Sequence, residues 1–174
     1  VVPSVAGFVD RYLGVCPTPP AEGASACEQA ALAFRKGAEG KPYSLLVGEP
    51  APGQVQVAEV DARGGTAVFN LVPFFAGGAS AITQGAPRGA DAGGNPILPL
   101  LRIEGTIPEG WSPSMLTRQV QAQALRIEVV FTPQGLWSLP RRGRPALRGV
   151  KASLRSVRLI VGRTGEQLGA WSAP

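Results

Sequence analysis

Eight cations fall between positions 141 and 163: Arg141, Arg142, Arg144, Arg148, Lys151, Arg155, Arg158 and Arg163. No Asp or Glu interrupts residues 129–165. Arginine presents a planar fork of donors that matches carboxylate and phosphate oxygens; lysine presents a compact point charge. The stretch is therefore the candidate for binding an anionic partner: nucleic acid, lipopolysaccharide, anionic lipid, an acidic polymer or a protein carboxylate. Nucleic acid is disfavoured, because no aromatic-interleaved platform accompanies the charge. The competing reading is a solvated face in a protein whose acids lie elsewhere. Residues 1–87 carry 5 Lys/Arg against 7 Asp/Glu, and residues 88–174 carry 12 against 5, so the net charge of +5 resides in the second half.

Catalytic chemistry has fewer candidates. The chain has no histidine, so no Ser-His-Asp triad, Cys-His pair or His-ligated metal site can form from it. Two cysteines cannot supply a four-thiolate site in a monomer. Gly37-Ala38-Glu39-Gly40-Lys41-Pro42 has the wrong spacing for a phosphate loop, and Pro42 stands where a Ser or Thr would meet magnesium. No cofactor and no metal site is expected. Glu59 and Asp61, two apart at a predicted strand end, are the pair from which a histidine-free carboxylate hydrolase or a calcium site would have to be built. The plainer reading is two solvated acids flanking a turn. Glu104 and Glu128 each follow an arginine by two, at Arg102 and Arg126, which suits same-face pairing on a sheet. No G-x-S-x-G or S-x-x-K accompanies the serines. The three tryptophans, Trp111, Trp137 and Trp171, all lie in the second half, and core packing is their commonest use.

Cys16 and Cys27 are the only cysteines. Their spacing allows one short-range disulfide, which suits an oxidising, extracytoplasmic compartment, periplasmic or secreted. No run approaches the eighteen apolar residues of a transmembrane helix. The chain begins at Val1, which reads as a mature or trimmed form.

Val5, Phe8, Val9, Tyr12 and Leu13 follow helical spacing, with Ser4 as N-cap and Gly14 as stop. Ser25-Ala26-Cys27-Glu28 has capping-box spacing before a second helix over 29–36, so the disulfide would staple a helical hairpin. A proline-rich loop at 16–20 joins the two. From 42 onward the apolar period shortens toward two, predicting strands at 43–47, 54–60, 66–75 and 97–107. Asp61-Ala62-Arg63-Gly64-Gly65 reads as a hairpin turn, and Pro73 as an edge or a bulge.

Residues 76–95, twelve of them Gly or Ala, read as a flexible loop. Ser112-Pro113 opens a short helix, and 118–124 is compatible with helix or strand. Leu125, Ile127, Val129 and Phe131 share one strand face. Pro133-Gln134-Gly135 reads as a turn into a further strand at 136–139. Strands at 150–161 and 167–171 flank the turn Gly162-Arg163-Thr164-Gly165, with a phase slip at Ser156 that a bulge would absorb.

The expectation is a single α+β domain over 1–174. A helical N-terminal segment at 1–40 packs on a β-rich body at 42–174, predominantly an antiparallel sheet or sandwich of about seven strands. The leading functional expectation is a non-enzymatic binding or structural component of the bacterial cell envelope acting through protein–protein contacts. The alternatives are a binder of an anionic ligand through 141–163 and the carboxylate-based hydrolase.

Overall fold

A computed structural model of the chain describes residues 1–15 and 24–174, with side chains from residue 26 onward in the second stretch. Helix α1 spans Val5–Leu13 and α2 Ala24–Ala38; strands follow at β1 (Tyr43–Val47), β2 (Val55–Asp61), β3 (Thr66–Leu71), β4 (Phe74–Gly77), β5 (Ser80–Gln84) and β6 (Leu101–Thr106). Helix α3 (Pro113–Gln121) precedes two long strands, β7 (Leu125–Arg141) and β8 (Arg144–Val161), and a short β9 (Gln167–Ser172). The class is as expected: mostly antiparallel β-sheet with two helices at the N-terminal end. The strand number is not, for the described residues form nine strands rather than about seven. Their hydrogen-bonded path, β1-β7-β8-β9-β6-β3-β2, does not close.

Two compact units share the chain. The first comprises Val1–Leu45, Phe74–Leu98 and Phe131–Ser153. In it Ser4 accepts from Gly7 N at 3.0 Å, and Gly14 ends α1 in the left-handed region at φ 84°. Phe8 is the centre of an aromatic cluster, with ring centroids 5.6 Å from Phe34, 5.1 Å from Tyr43 and 5.5 Å from Phe131. Helix α1 packs on β4 and β5. Gly77 permits the approach, since a Cβ there would sit 2.9 Å from Ala6 N.

The Gly/Ala-rich segment is only partly the loop it was expected to be. Ser80–Gln84 is strand β5, with Ala81, Ile82 and Thr83 fully buried. It pairs in parallel with β8, Ala81 opposite Gly149, and antiparallel with β4. Small side chains are required there because Trp137 occupies the space: a Cβ on Gly149 would meet the indole ring. The indole Nε1–H donates to Thr83 Oγ1 at 2.9 Å, and that hydroxyl donates to the Gly85 carbonyl at 2.6 Å.

Pro133-Gln134-Gly135 is no turn; β7 runs through it, and Gly135 does not take the left-handed backbone that Gly65 (φ 68°) and Gly165 (φ 75°) take in real turns. Glycine is needed at 135 for room, because a Cβ would lie 2.9 Å from Lys151 Cε. Helix α2 is already under way at Ala24, so Ser25 lies inside it rather than at its cap.

The second unit comprises Leu46–Pro73, Pro99–Val130 and Leu154–Pro174. Strands β2, β3, β6, β9 and the end of β8 pair antiparallel in that order. The turn at 61–65 is built as expected: Asp61 Oδ1 accepts from Arg63 N and Gly64 N at 3.1 and 3.0 Å. The ambiguous stretch 118–124 begins as helix. Ser112 caps α3, and two residues past the helix Gln123 takes φ 59°, a left-handed turn made without glycine and held by Gln123 Nε2 donating to the Pro50 carbonyl. Burial changes phase between Leu154 and Val157, as the slip at Ser156 predicted, while the β8–β9 register itself shifts at Leu159/Ile160. Strands 66–75 and 97–107 are shorter than expected: the first breaks at Val72-Pro73, and the second is confined to Leu101–Thr106.

Candidate anion-binding site

The start of the basic segment is the tip of a strand hairpin. Arg141 is the last residue of β7, Arg142 and Gly143 make the turn, and Arg144 opens β8. Gly143, at φ 69°, supplies the left-handed residue that so tight a turn needs. Arg141 Nε donates to the Pro145 carbonyl at 3.0 Å, which holds its stem and leaves the outer guanidinium nitrogens to other partners. Arg142 and Arg144 are exposed.

These three arginines line a cavity of about 350 Å³, and its other wall is Ala92 to Asn95. That wall is the tip of a small hairpin following β5, closed by the Ala90–Pro96 bridge and by hydrogen bonds between Arg88 and Ile97 and between Asp91 and Asn95. Asp91 Oδ1 accepts from Gly93 N and Asn95 N at 2.9 Å each, so the one acid in this loop is engaged by backbone donors. The arrangement brings three cations and a polar backbone loop to one small concavity, a setting suited to a carboxylate or phosphate group.

The other predicted cations are placed differently. Arg148 is exposed on β8 opposite Ser80. Lys151 does not join the arginine tip; it lines another cavity with Arg35 and Lys36 of α2. Those two companions escaped sequence reasoning, because they lie more than a hundred residues away, in the acidic half. In the second unit, Arg158 is committed to Glu128 (Nη1 to Oε2, 2.7 Å) and to Gln167 (2.9 Å). Arg155 and Arg163 are exposed, the latter in the β8–β9 turn.

The carboxylates serve structural ends. Glu59 receives both terminal nitrogens of Arg102 at 3.2 Å, reaching from β2 to β6. Its hydrogen bonds and charge raise the Arg102 guanidinium above its ordinary value. Asp61 is spent on its turn. Neither within-strand pairing read from the sequence is an ion pair among the described residues: Arg102 pairs with Glu59 and Glu128 with Arg158 across strands, and Glu104 acts on Arg102 through its charge alone. Glu59 does border a cavity of about 550 Å³ between β2 and α3, but Asp61 does not line it. Among the described residues no group of three potential metal ligands converges. Trp137 is buried as expected of a core residue. Cys16, with the whole 16–20 loop, lies outside the described residues; Cys27, in the first turns of α2, is not free.

Fold and site together describe a histidine-free, β-rich chain that presents arginines at the tip of its longest hairpin. Over residues 1–174 the chain belongs to the family of unknown function DUF6066. No curated protein and no solved structure matches it.

Proposed function

We propose that this chain is a non-enzymatic binding component of the cell envelope, and that an acidic stretch of a protein partner seats on the tip formed by Arg141, Arg142 and Arg144. The observation that carries the reading is the convergence of those three side chains on one concavity whose facing loop has its own acid already hydrogen-bonded. Bidentate arginine–carboxylate contacts supply specificity of geometry there. The compartment rests on the expected Cys16–Cys27 bridge.

Fluorescence anisotropy with a labelled decaglutamate peptide tests the proposal. Binding should weaken as salt rises, because exposed charges are screened. Three exposed contacts at about 0.2–1 kcal/mol each amount to roughly a three- to 150-fold loss in the triple variant Arg141→Glu/Arg142→Glu/Arg144→Glu. Reversal of Arg63 and Arg118, which lie outside the site, should leave affinity within about twofold. Undiminished binding by the triple variant would refute the assignment. If heparin or anionic vesicles bind better than the peptide and lose that binding in the triple variant, the anionic-ligand alternative takes its place.

A further inference from the structure

We infer that the first unit holds a second, separate site, a cavity of about 810 Å³ that binds an anionic amphiphile with one charged head and one short apolar tail. Its walls come from α1, α2 and the middle of the β7–β8 hairpin. The volume lies in the range of small-molecule sites, about 300–1,000 Å³.

Charge selects the head. Arg35 and Lys36 from the last turns of α2 and Lys151 from β8 line the cavity against a single acid, Glu39. The negative end of the helix dipole explains cations on α2 but not Lys151, which stands on a strand. Among the described residues none of the three has a carboxylate within ion-pair distance. Two of them are also held in place. Arg35 Nε donates to the Ala31 carbonyl at 3.3 Å, leaving its terminal nitrogens for a ligand. The Lys151 stem lies across Gly135, and the residue is only partly exposed. Thr132 and Gln134 add polar groups to the same wall.

The tail is selected by Leu32. This leucine is 61% exposed, yet it lines the same cavity, beside the ring of Tyr12 and the buried Pro133. Simple anions such as inorganic phosphate would leave that apolar surface wet; an alkyl chain attached to the anion covers it.

Isothermal titration with decyl phosphate below its micellar concentration, against inorganic phosphate, is the direct test. One saturable site is expected, with decyl phosphate at least tenfold tighter than phosphate. Lys151→Gln and Arg35→Gln should each weaken decyl phosphate about tenfold. Leu32→Ser should erase the advantage of the tail while leaving phosphate unchanged. Gly135→Ala, which displaces the Lys151 stem, should act like Lys151→Gln; circular dichroism and melting confirm that each variant is folded. Co-sedimentation with phosphatidylglycerol–phosphatidylcholine vesicles separates the two sources of such a head. Vesicle binding lost in Lys151→Gln assigns the ligand to a bilayer, and its absence beside decyl phosphate binding assigns it to a free amphiphile. Failure of both probes, or binding indifferent to Lys151, Arg35 and Leu32, would overturn the inference. The triple reversal at Arg141, Arg142 and Arg144 should leave this binding intact, so the two sites fail or stand separately.

Discussion

Replacing Thr83 by Val tests the least expected part of the fold, the burial of β5. The side chain keeps its volume and loses one hydroxyl. That hydroxyl is the acceptor for the Trp137 indole N–H and the donor to Gly85 O. Trp137 is 8% exposed and Thr83 is fully buried, so no water replaces the lost acceptor. A stranded buried donor costs about 1–3 kcal/mol. The Gly85 carbonyl belongs to a half-exposed residue and can turn to solvent, so it adds little.

The expected loss from Thr83→Val is about 2 kcal/mol, or roughly 4–8 °C in melting temperature for a chain of this size. Urea denaturation followed by circular dichroism measures it. The same change in a Trp137→Phe background strands no N–H and should cost under about 1 kcal/mol; the difference is the coupling energy of the pair. A loss below about 0.5 kcal/mol, or an equal loss in both backgrounds, means that the indole is not held as described.

Three further outcomes can be measured. Gly149→Ala drives a methyl into the Trp137 ring and to 2.6 Å from the Ala81 carbonyl, so urea denaturation should show a loss of about 1–3 kcal/mol, smaller in a Trp137→Leu background. Tyr12 has its pKa raised, chiefly by burial and further by Glu39, with Arg35 acting in the opposite sense. A raised folded value means that its stabilising contribution is complete below the unfolded value near 10 and is lost as pH climbs through the folded one. Denaturation between pH 9 and 11.5 should therefore show a steeper alkaline loss in the native chain than in Tyr12→Phe, and equal slopes would contradict the burial argument. Denatured, unreduced protein should titrate no free thiol, and reduction should cost about 3 kcal/mol for a loop of this length; two free thiols would remove the basis for an oxidising compartment.

Much of the architecture was legible because local rules and tertiary packing agree. Ser4, Gly14 and the alternation of Leu125 to Phe131 need no long-range information. The asparagine-free turns at 61–65 and 162–165 announce themselves by glycines that do take positive φ. The failures share a cause. Ala81 and Thr83 look too small to anchor a strand until Trp137, more than fifty residues away, is known to lie over them. Gly135 looks like a turn glycine because a strand offers no hint that a lysine stem must cross it. Helix α3 hides its end because Gln123 takes the left-handed position and is stabilised by Pro50, far off in sequence. Each is a case where one residue's size or backbone is set by a distant partner.

The charge run is the sharpest instance of that limit. In sequence, residues 141–163 form one basic block, and the natural inference is one surface. Folding into a strand changes the geometry. Arg144 and Lys151 are seven residues apart on β8, roughly 23 Å at about 3.3 Å per residue. The Debye length at physiological salt is about 8 Å, so exposed charges at that separation scarcely feel each other. Lys151 instead shares a cavity with Arg35 and Lys36, which the sequence places in its acidic half. The arginines at the tip, meanwhile, face a loop whose one acid, Asp91, is hydrogen-bonded through Oδ1 to its own backbone. An anion held by one group therefore gains nothing from the other, and titrations at the two should be additive. Clustering in sequence locates cations; only the partner strands and helices decide which of them act together.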